Sequence, residues 1–152
     1  MRWRDPERWQ AMLDGTDCPI CRGMPTWTPV ATLEVSLVMA DERAPMRGYC
    51  WVPLSRHAVE LHELTPGEAA AYMRDLQRVG RAVQAITGAV KLNWEIHGNT
   101  VPHLHTHLFP RYRGDPFEGR PIAPKSITEA VYGPGEFEWF AGELRARLAT
   151  SS

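Results

Sequence analysis

The sequence predicts an α+β fold in which antiparallel strands are covered by one long helix. Short apolar and β-branched segments are separated only by turns, and one long segment has the spacing of an amphipathic helix. A third segment places histidines at alternate positions, as a strand does. A chain of 152 residues can bury such a core without disulfide bonds. We therefore expect a single domain over residues 1–152.

The first third of the chain predicts an arm, a tight turn and two strands. Residues 1–17 are expected to form a short helix or an irregular arm, and "DCPICRG" forms the turn after it. "TLEVSLVMA" at 32–40 and "YCWVPL" at 49–54 are apolar and β-branched enough for strands. The proline and glycine of "DERAPMRG" between them indicate an antiparallel connection.

The clearest predicted element is a helix that begins in "LTPGE". Thr65 can act as its N-cap, Pro66 fits its first position, and Glu68 completes a capping box. Gly88 is suited to end it. Apolar residues recur every three or four positions and should face the sheet: Tyr72, Met73, Leu76, Val79, Val83 and Ile86.

Two further strands are predicted in the second half of the chain. They are "AVKLNWEI" at 89–96 and "VPHLHTHLFP" at 101–110, with the turn "HGNT" between them. Pro110 has no N–H for the ladder and should end the second strand. The segment 113–135, rich in proline and glycine, is expected to form an extended surface loop before a terminal helix from about Glu136 to Leu148.

Composition and charge exclude several classes of function. A net charge of −1 provides no long-range attraction for nucleic acids or anionic membranes. No apolar run is long enough for a transmembrane helix, and "MRWRDPERWQAM" lacks the apolar stretch of a signal peptide. We expect a cytoplasmic protein.

The three cysteines form an odd number, which argues against a disulfide framework. Cys18 and Cys21, in "CPIC", have the spacing of half a zinc site, although two thiols without a metal would look the same. A thioredoxin-like redox pair would need a strand before the first thiol, and none is predicted there. Cys50 is expected to be a buried thiol without chemistry.

Half of the six histidines occur within five residues of one predicted strand. His103, His105 and His107 should share one face of the sheet because alternate side chains of a strand point the same way. A neutral imidazole can bind a metal or attack phosphorus, so the alternatives to a histidine-rich surface strand are metal ligation and phosphate chemistry. The preceding "GNT" offers an amide, a hydroxyl and backbone N–H groups for phosphate oxygens.

The segment "HLHTHLF" fits the histidine triad signature, His-φ-His-φ-His-φ-φ with φ apolar, except that Thr106 occupies one φ position. The match continues through "GNTVP" and "FPRY". With "VPLSRH" and "NWEIHGN", the region from about 18 to 122 resembles the histidine triad nucleotide hydrolases and transferases. This resemblance implies a HIT-like fold: an antiparallel sheet of about five strands with one long helix packed on it and, over 123–148, a loop and a C-terminal helix.

The resemblance also implies a catalytic role for the triad His103, His105 and His107. The middle histidine, His105, would attack the α-phosphorus and carry the nucleotide, with its other ring nitrogen bonded to a backbone carbonyl. His107 would contact the α-phosphate or the leaving group. By the same resemblance Asp41 would bind the ribose hydroxyls, although an aspartate in "MADERAP" can equally form a turn. The residues expected to hold phosphate oxygens are Asn93, Asn99 and Thr100.

Some branches of the superfamily are similar in their cysteines and bind a structural zinc ion. The ligands implied here are Cys18, Cys21, His57 and His103. Such a closed site would support the strand that carries the nucleophile and would leave His105 free for chemistry.

The remaining expectations concern two further histidines and two arginines. His62 should be a solvated surface residue. His97 can approach the substrate or be in structural or solvent contact, and Arg111 and Arg113 can meet distal phosphates or lie in solvent.

The resemblance implies an enzyme that cleaves dinucleoside polyphosphates, which "FPRY" favours, or nucleoside phosphoramidates. Transfer of the nucleotide to a phosphate acceptor would use the same intermediate. The alternative from another class is a regulatory module that binds nucleotide or zinc without turnover. Members of the family usually form homodimers through the long helix and a sheet edge, so a homodimer is expected.

Overall fold

The computed structural model describes residues 2–23 and 26–150, and within them it confirms the predicted α+β class. The strands are β1 (Thr28–Thr32), β2 (Leu37–Ala40), β3 (Cys50–Pro53), β4 (Lys91–Ile96) and β5 (His105–Arg111). The helices are α1 (Pro6–Leu13), α2 (Pro66–Thr87) and α3 (Glu136–Thr150). Single 3-10 turns lie at Arg2–Arg4, Leu61–Glu63 and Pro124–Ser126.

The strands form one antiparallel sheet in the order β1-β2-β3-β5-β4. The histidine strand β5 therefore lies between two neighbours. His105 pairs with Pro53 of β3, and His107 pairs with Trp51 of β3 and Glu95 of β4. Pairing on both sides holds the backbone of the histidines more firmly than an edge strand would.

Helix α2 begins and ends where the sequence predicts. The Thr65 side chain accepts from the Glu68 N–H, the Glu68 side chain accepts from the Thr65 N–H, and Pro66 is the first helical residue. Gly88 ends the helix with φ at 66°, a left-handed conformation that glycine adopts without steric strain. These local signals agree with most of the apolar stripe, which explains why this element was predictable. The expectation for Met73 is wrong, because its side chain is 55% exposed and does not face the sheet.

The single strand predicted at 32–40 is wrong, because the chain turns there and forms the hairpin β1–β2. Buried Asp75 of α2 accepts from the N–H groups of Glu34 and Val35 at 3.2 and 3.0 Å and from the Ser36 hydroxyl at 2.8 Å. Without Asp75 these three donors of a partly buried turn would lose their acceptor. The turn thus depends on a tertiary contact that the local pattern does not contain.

Strand β5 differs from the prediction at both ends. It begins at His105 instead of residue 101, and it continues past Pro110 to Arg111. The Arg111 carbonyl accepts from the Val90 N–H, so the nitrogen of Pro110 points to the opposite side of the strand. There the last pair with β3 is Cys50 with Leu108, and no ladder bond is lost at the proline.

The two faces of the sheet carry different cores. On one face, α2 and α3 cover residues such as Val52 and Leu108. The Tyr72 hydroxyl of α2 donates to the Val52 carbonyl at 2.6 Å and contacts the Thr106 hydroxyl at 2.9 Å. The buried Thr106 hydroxyl therefore has a hydrogen-bond partner in this core. The other face carries a smaller aromatic cluster that includes Tyr49, Trp51 and Phe109.

The segment 113–135 is only partly the surface loop that its composition predicts. Phe117 and Ile122 are buried in the smaller cluster, at 5% and 8% exposure. The tail thus packs on the same sheet face as His105 and His107. Within the described residues, no helix is long and apolar enough to cross a membrane.

Replacing Asp75 by alanine should lower the free energy of unfolding by about 3 kcal/mol, because the buried Ser36 hydroxyl and two partly buried N–H groups of the β1–β2 turn would lose their acceptor. Denaturant unfolding monitored by tryptophan fluorescence measures this change. Glu138→Ala, at an exposed position of α3, is the control and should change stability by less than about 0.5 kcal/mol. Equal effects of the two substitutions would show that the turn does not depend on Asp75.

Candidate functional site

The histidines of the motif divide between two neighbouring sites. His105 and His107 project from β5 into a cavity of about 420 Å³. His103 precedes the strand, and its ring contacts the thiols of Cys18 and Cys21 instead. The motif therefore combines a candidate catalytic pair with a candidate metal ligand.

His105 is held by a hydrogen bond to the backbone two residues earlier. Its Nδ1 lies 2.5 Å from the His103 carbonyl oxygen, and because that oxygen can only accept, Nδ1 carries the hydrogen. Burial lowers the pKa of His105, so the ring is neutral near pH 7. Its Nε2 therefore carries a lone pair toward the cavity, the arrangement a nucleophile requires.

His107 contacts both the nucleophile candidate and a tyrosine. Its Nε2 lies 3.1 Å from Nε2 of His105, and its Nδ1 lies 2.8 Å from the Tyr49 hydroxyl. Burial, with smaller contributions from His105 and His97, lowers the pKa of His107 to about 3. The imidazoles of His105 and His107 are therefore both neutral at physiological pH.

The remaining cavity wall is apolar on some sides and polar on others. Ile20, Trp27 and Trp51 contribute apolar surface, and the turn 97–101 contributes Asn99 and Thr100. The structure thus brings these two predicted phosphate ligands together with His105 and His107. The wall also includes His97, whose Nε2 lies 3.0 Å from a Glu95 carboxylate oxygen, and Lys125 of the tail.

Two other predicted substrate ligands are engaged elsewhere. The Asn93 side-chain oxygen accepts from Arg111 Nη1 at 2.6 Å, beside a separate cavity of about 740 Å³. The Asp41 carboxylate accepts from the Arg43 N–H at 2.9 Å, the hydrogen bond of a turn-forming aspartate. Neither residue lines the cavity of the histidines, and their contacts with a nucleotide remain predictions.

Arg111 fits neither of the alternatives that the sequence offers. It is buried, at 8% exposure, and its guanidinium binds both carboxylate oxygens of Asp115 at 2.9 Å. It also donates to the backbone carbonyls of Phe117 and Arg120. Its hydrogen bond to Arg111 lowers the pKa of Asp115 to about 2. Together these contacts hold the loop after β5 against the strand. Arg113 is exposed.

The structure brings together the four predicted zinc ligands, Cys18, Cys21, His57 and His103. One donor atom from each lies within 4.8 Å of the others. The His103 Nδ1 is 3.3 Å from the Cys18 sulfur and 3.5 Å from the Cys21 sulfur, and the His57 Nδ1 is 3.5 Å from the Cys21 sulfur. Tetrahedral zinc places such sulfur and nitrogen atoms about 3.6 Å apart.

The tautomers of the two imidazoles fit a bound cation. The Nε2 of His57 is 2.9 Å from the Leu13 carbonyl oxygen, and the Nε2 of His103 is 2.8 Å from the Leu54 carbonyl oxygen. Both Nε2 atoms therefore carry hydrogen, and the two Nδ1 lone pairs face each other at 3.3 Å with no hydrogen between them. A cation among the four donors removes this repulsion.

The surroundings of the thiols disagree with a thioredoxin-like pair. Cys18 and Cys21 lie between α1 and β1, so among the described residues the pair follows a helix and does not begin one. Gly15, at a φ of 85°, lets the backbone pass close to the His57 ring, where a Cβ would lie only 3.1 Å from Cγ. The turn therefore packs closely against a candidate metal ligand, His57.

Two side predictions from the sequence are confirmed. Cys50 is a fully buried strand thiol, and burial raises its pKa to about 12, which keeps it unreactive. His62 is exposed in the 3-10 turn before α2.

Sequence analysis missed several residues of the site, among them Tyr49, Ile20 and Lys125. Tyr49 could have been found, because it alternates with Trp51 and both therefore share the face of His107. Ile20 lies between the two cysteines, in a segment whose spacing predicts only thiol ligands. Lys125 reaches the cavity from a distant loop, and no local pattern indicates this.

Comparisons with known proteins agree with the geometry. The family model described as HIT domain matches residues 28–114. The fold is similar to that of a histidine triad protein from Bradyrhizobium japonicum, with a TM-score of 0.72 and 29% identity over 84% of this chain and 94% of that chain. A Zn-bound histidine triad family protein from Mycobacterium smegmatis is 28% identical, with a TM-score of 0.62 over 88% and 94% of the two chains.

Similarity to curated proteins is confined to part of their length. A bis(5'-adenosyl)-triphosphatase from Saccharomyces cerevisiae is 37% identical over 67 residues, which is 41% of this chain and 32% of the relative. A bis(5'-nucleosyl)-tetraphosphatase [asymmetrical] from Schizosaccharomyces pombe is 26% identical over 87 residues, 54% of this chain and 48% of the relative. The matched segments thus span about a third to about a half of the length of these relatives.

Proposed function

Because this chain belongs to the HIT domain family, we propose that it cleaves a nucleotide at the α-phosphorus through a nucleotidyl-histidine intermediate on His105. The observation that carries this proposal is the hydrogen bond from His105 Nδ1 to the His103 carbonyl. It fixes the tautomer that leaves Nε2 unprotonated, and the same carbonyl stabilises the positive charge that the ring gains when Nε2 forms a bond.

The first step forms the bond between His105 Nε2 and the α-phosphorus and breaks the bond from phosphorus to the leaving group, which departs with the bonding electrons. In the second step water attacks phosphorus, the phosphorus–nitrogen bond breaks, and the water proton passes to solvent. The products are a nucleoside monophosphate and the released group, and His105 regains its lone pair. An acceptor phosphate in place of water would make the same chemistry a nucleotidyl transfer.

The cavity supports a nucleotide in its size and lining. Its 420 Å³ lies in the usual range of small-molecule sites. Asn99 and Thr100, from the turn that precedes the histidines, line the same cavity and would hold phosphate oxygens. The indoles of Trp27 and Trp51 and the side chain of Ile20 offer apolar surface for a nucleobase.

Dinucleoside polyphosphates are the substrate class we favour, and nucleoside phosphoramidates are the second candidate. The relatives from Saccharomyces and Schizosaccharomyces are described as hydrolases of dinucleoside triphosphates and tetraphosphates. The ammonium of Lys125 in the cavity wall would attract a polyphosphate chain.

We also propose a structural zinc ion held by Cys18, Cys21, His57 and His103. A zinc ion in this set would neutralise the two thiolates and connect the turn before β1, the segment after β3 and the start of β5. The backbone of His103, whose carbonyl accepts from the His105 ring, would then be fixed from the side of its own imidazole. The similar protein from Mycobacterium smegmatis is Zn-bound, which supports the assignment.

A homodimer through the β4 edge is the third part of the proposal. In the described part of the chain β4 has a neighbouring strand on one side only. Trp94 and Ile96 point to the same face from this edge and are 41% and 43% exposed. The Trp94 ring lies over Gly80 of α2, and Met73, two helical turns earlier, is also exposed. A second copy would cover this apolar surface and both strand edges.

His105→Ala should lower kcat for a diadenosine polyphosphate by at least about 10³-fold, because the nucleophile is lost. His62→Ala, which removes an exposed histidine outside the cavity, should leave the rate unchanged. Quenching wild-type turnover with denaturant at alkaline pH and locating a phosphorus–nitrogen adduct by mass spectrometry tests the intermediate. A wild-type protein that binds nucleotide but turns over neither this substrate nor an AMP-amine conjugate would be a regulatory module.

Protein purified without added metal should contain about one equivalent of zinc by elemental analysis. The double substitution Cys18→Ser, Cys21→Ser should remove the zinc and lower the free energy of unfolding by several kcal/mol. Cys50→Ala, which removes the third thiol, should retain the metal. Unchanged zinc content and stability in the double variant would refute the assignment of these ligands.

The wild-type protein should sediment as a dimer at micromolar concentration, and Ile96→Glu should shift it to a monomer because a buried charge at the interface is costly. Leu61→Glu changes another exposed apolar residue, 49% exposed and outside the β4 edge, and should leave the dimer intact. Analytical ultracentrifugation distinguishes the two states. A monomeric wild type, or a dimer in Ile96→Glu, contradicts this interface.

A further inference from the structure

The Tyr49 hydroxyl is the polar group that meets the far side of the His107 ring. Tyr49 directly precedes β3 and is 5% exposed. Its ring stacks on Phe109, with centroids 4.8 Å apart, and lies nearly parallel to the His107 ring at 6.0 Å. The hydroxyl oxygen is 2.8 Å from His107 Nδ1. Packing on both sides gives the phenol little freedom to turn away.

The contacts of the two imidazoles determine where the hydrogen atoms lie. His105 Nδ1 carries hydrogen because it faces a carbonyl, and its Nε2 is bare in the proposed reaction because Nε2 is the nucleophile. If His107 carried its hydrogen on Nδ1, two lone pairs would face each other across 3.1 Å. The hydrogen of His107 therefore lies on Nε2, and Nδ1 accepts from the Tyr49 hydroxyl. The chain of donors runs from Tyr49 through His107 and His105 to the His103 carbonyl.

From this chain we infer that Tyr49 is a positioning residue that holds His107 as a neutral Nε2–H donor, and that the site consequently favours leaving groups that depart as phosphate anions over amines. The inference rests on the proposed function, because it concerns the leaving group of that reaction. Of the two candidate substrate classes, the inference favours phosphoanhydrides over phosphoramidates.

His107 in this tautomer can donate a hydrogen bond but cannot readily give up a proton. Loss of the Nε2 proton would leave an imidazolate unless Nδ1 took the proton of Tyr49, which would create a buried phenolate. Burial, assisted by Cys50, Asp41 and Glu95, raises the pKa of Tyr49 above its ordinary value and opposes this transfer. A protonated His107 is also disfavoured, because burial holds its pKa near 3.

The two candidate substrates differ in what they require of His107. When a phosphoanhydride is cleaved, the bridging oxygen takes the electron pair of the broken bond and leaves as part of a stable phosphate anion, for which a hydrogen bond suffices. When a phosphoramidate is cleaved, the nitrogen must receive a proton as the bond to phosphorus breaks. A fixed hydrogen-bond donor therefore serves the first reaction better than the second.

The charge of the cavity wall agrees with an anionic leaving group. Of the described residues that line it, Lys125 carries a full positive charge and none is a carboxylate. The His97 ring also lies near His107, at 5.9 Å between centroids, but its Nε2 is engaged by Glu95.

Tyr49→Phe removes the hydroxyl and keeps the stacked ring, and Tyr72→Phe is the matched control. Tyr72 is also buried and also donates to the sheet, but on the helix-covered face. Nitrogen-15 NMR of labelled histidine reports the tautomer of His107. We expect a single Nε2–H form in the wild type and in Tyr72→Phe, and a mixture of both tautomers in Tyr49→Phe.

Kinetics give the second readout. In Tyr49→Phe, kcat for a diadenosine polyphosphate should fall about tenfold, as for the loss of one transition-state hydrogen bond, with KM changed less than about threefold. The preference in kcat/KM for the polyphosphate over an AMP-amine conjugate should shrink several-fold. Tyr72→Phe should change neither kcat nor this preference.

The outcomes separate this inference from the proposed function. An Nδ1–H form of His107 in the wild type, which requires no variant, overturns the positioning role, and so does an unchanged tautomer in Tyr49→Phe. A wild type that prefers the AMP-amine conjugate overturns the leaving-group preference. If the predicted tautomers are observed but no nucleotide is turned over, the role of Tyr49 stands and the proposed reaction fails.

Discussion

The structure of the site depends on one residue, His103, whose backbone and side chain serve different sites. Its carbonyl oxygen accepts from His105 Nδ1, while its own ring directs Nε2 to the Leu54 carbonyl and Nδ1 to the thiols. Any movement of this residue would disturb the tautomer of the candidate nucleophile and the donor set of the candidate metal site together. Because β5 is paired on both sides just after it, the sheet limits such movement.

A cluster of imidazoles is useful only if each ring has a defined tautomer. In this chain a fixed partner is available for one nitrogen of each ring: the Leu13 carbonyl for His57, the Leu54 carbonyl for His103, the His103 carbonyl for His105 and the Tyr49 hydroxyl for His107. Three of the four partners are backbone atoms, whose positions follow from the fold. The fourth is a side chain, so the tautomer of His107 can be changed by a single substitution while the fold is kept.

Sequence patterns predicted the elements whose signals lie within a few neighbouring residues. They failed where the local structure depends on a residue that is distant in the sequence. The caps of α2 and the alternation of β5 lie within a few neighbouring residues, and the structure agrees with both. The turn between β1 and β2 requires Asp75 from a helix about forty positions later, so the local pattern of 32–40 predicts one strand where the structure has a turn. Resemblance to a known family brought the four metal-ligand candidates together, which spacing alone could not do. The burial of Arg111 could not be predicted for the same reason, because its partner Asp115 lies in a loop that has no recognisable sequence pattern.

The alternation of β5 also separates stability from chemistry. Thr106 and Leu108 face the helices, where the hydroxyl of Tyr72 and the main core hold the strand, whereas His105 and His107 face the smaller cluster and the tail. Thr106 and Leu108 therefore hold β5 in place on the face away from the polar cavity. His105 and His107 line the cavity and are not part of the main core. By burying Phe117 and Ile122 on the histidine face, the tail completes that side of the sheet and brings Lys125 to the cavity. Changes in the tail can thus alter what the cavity accepts while the strand that bears the histidines stays in register.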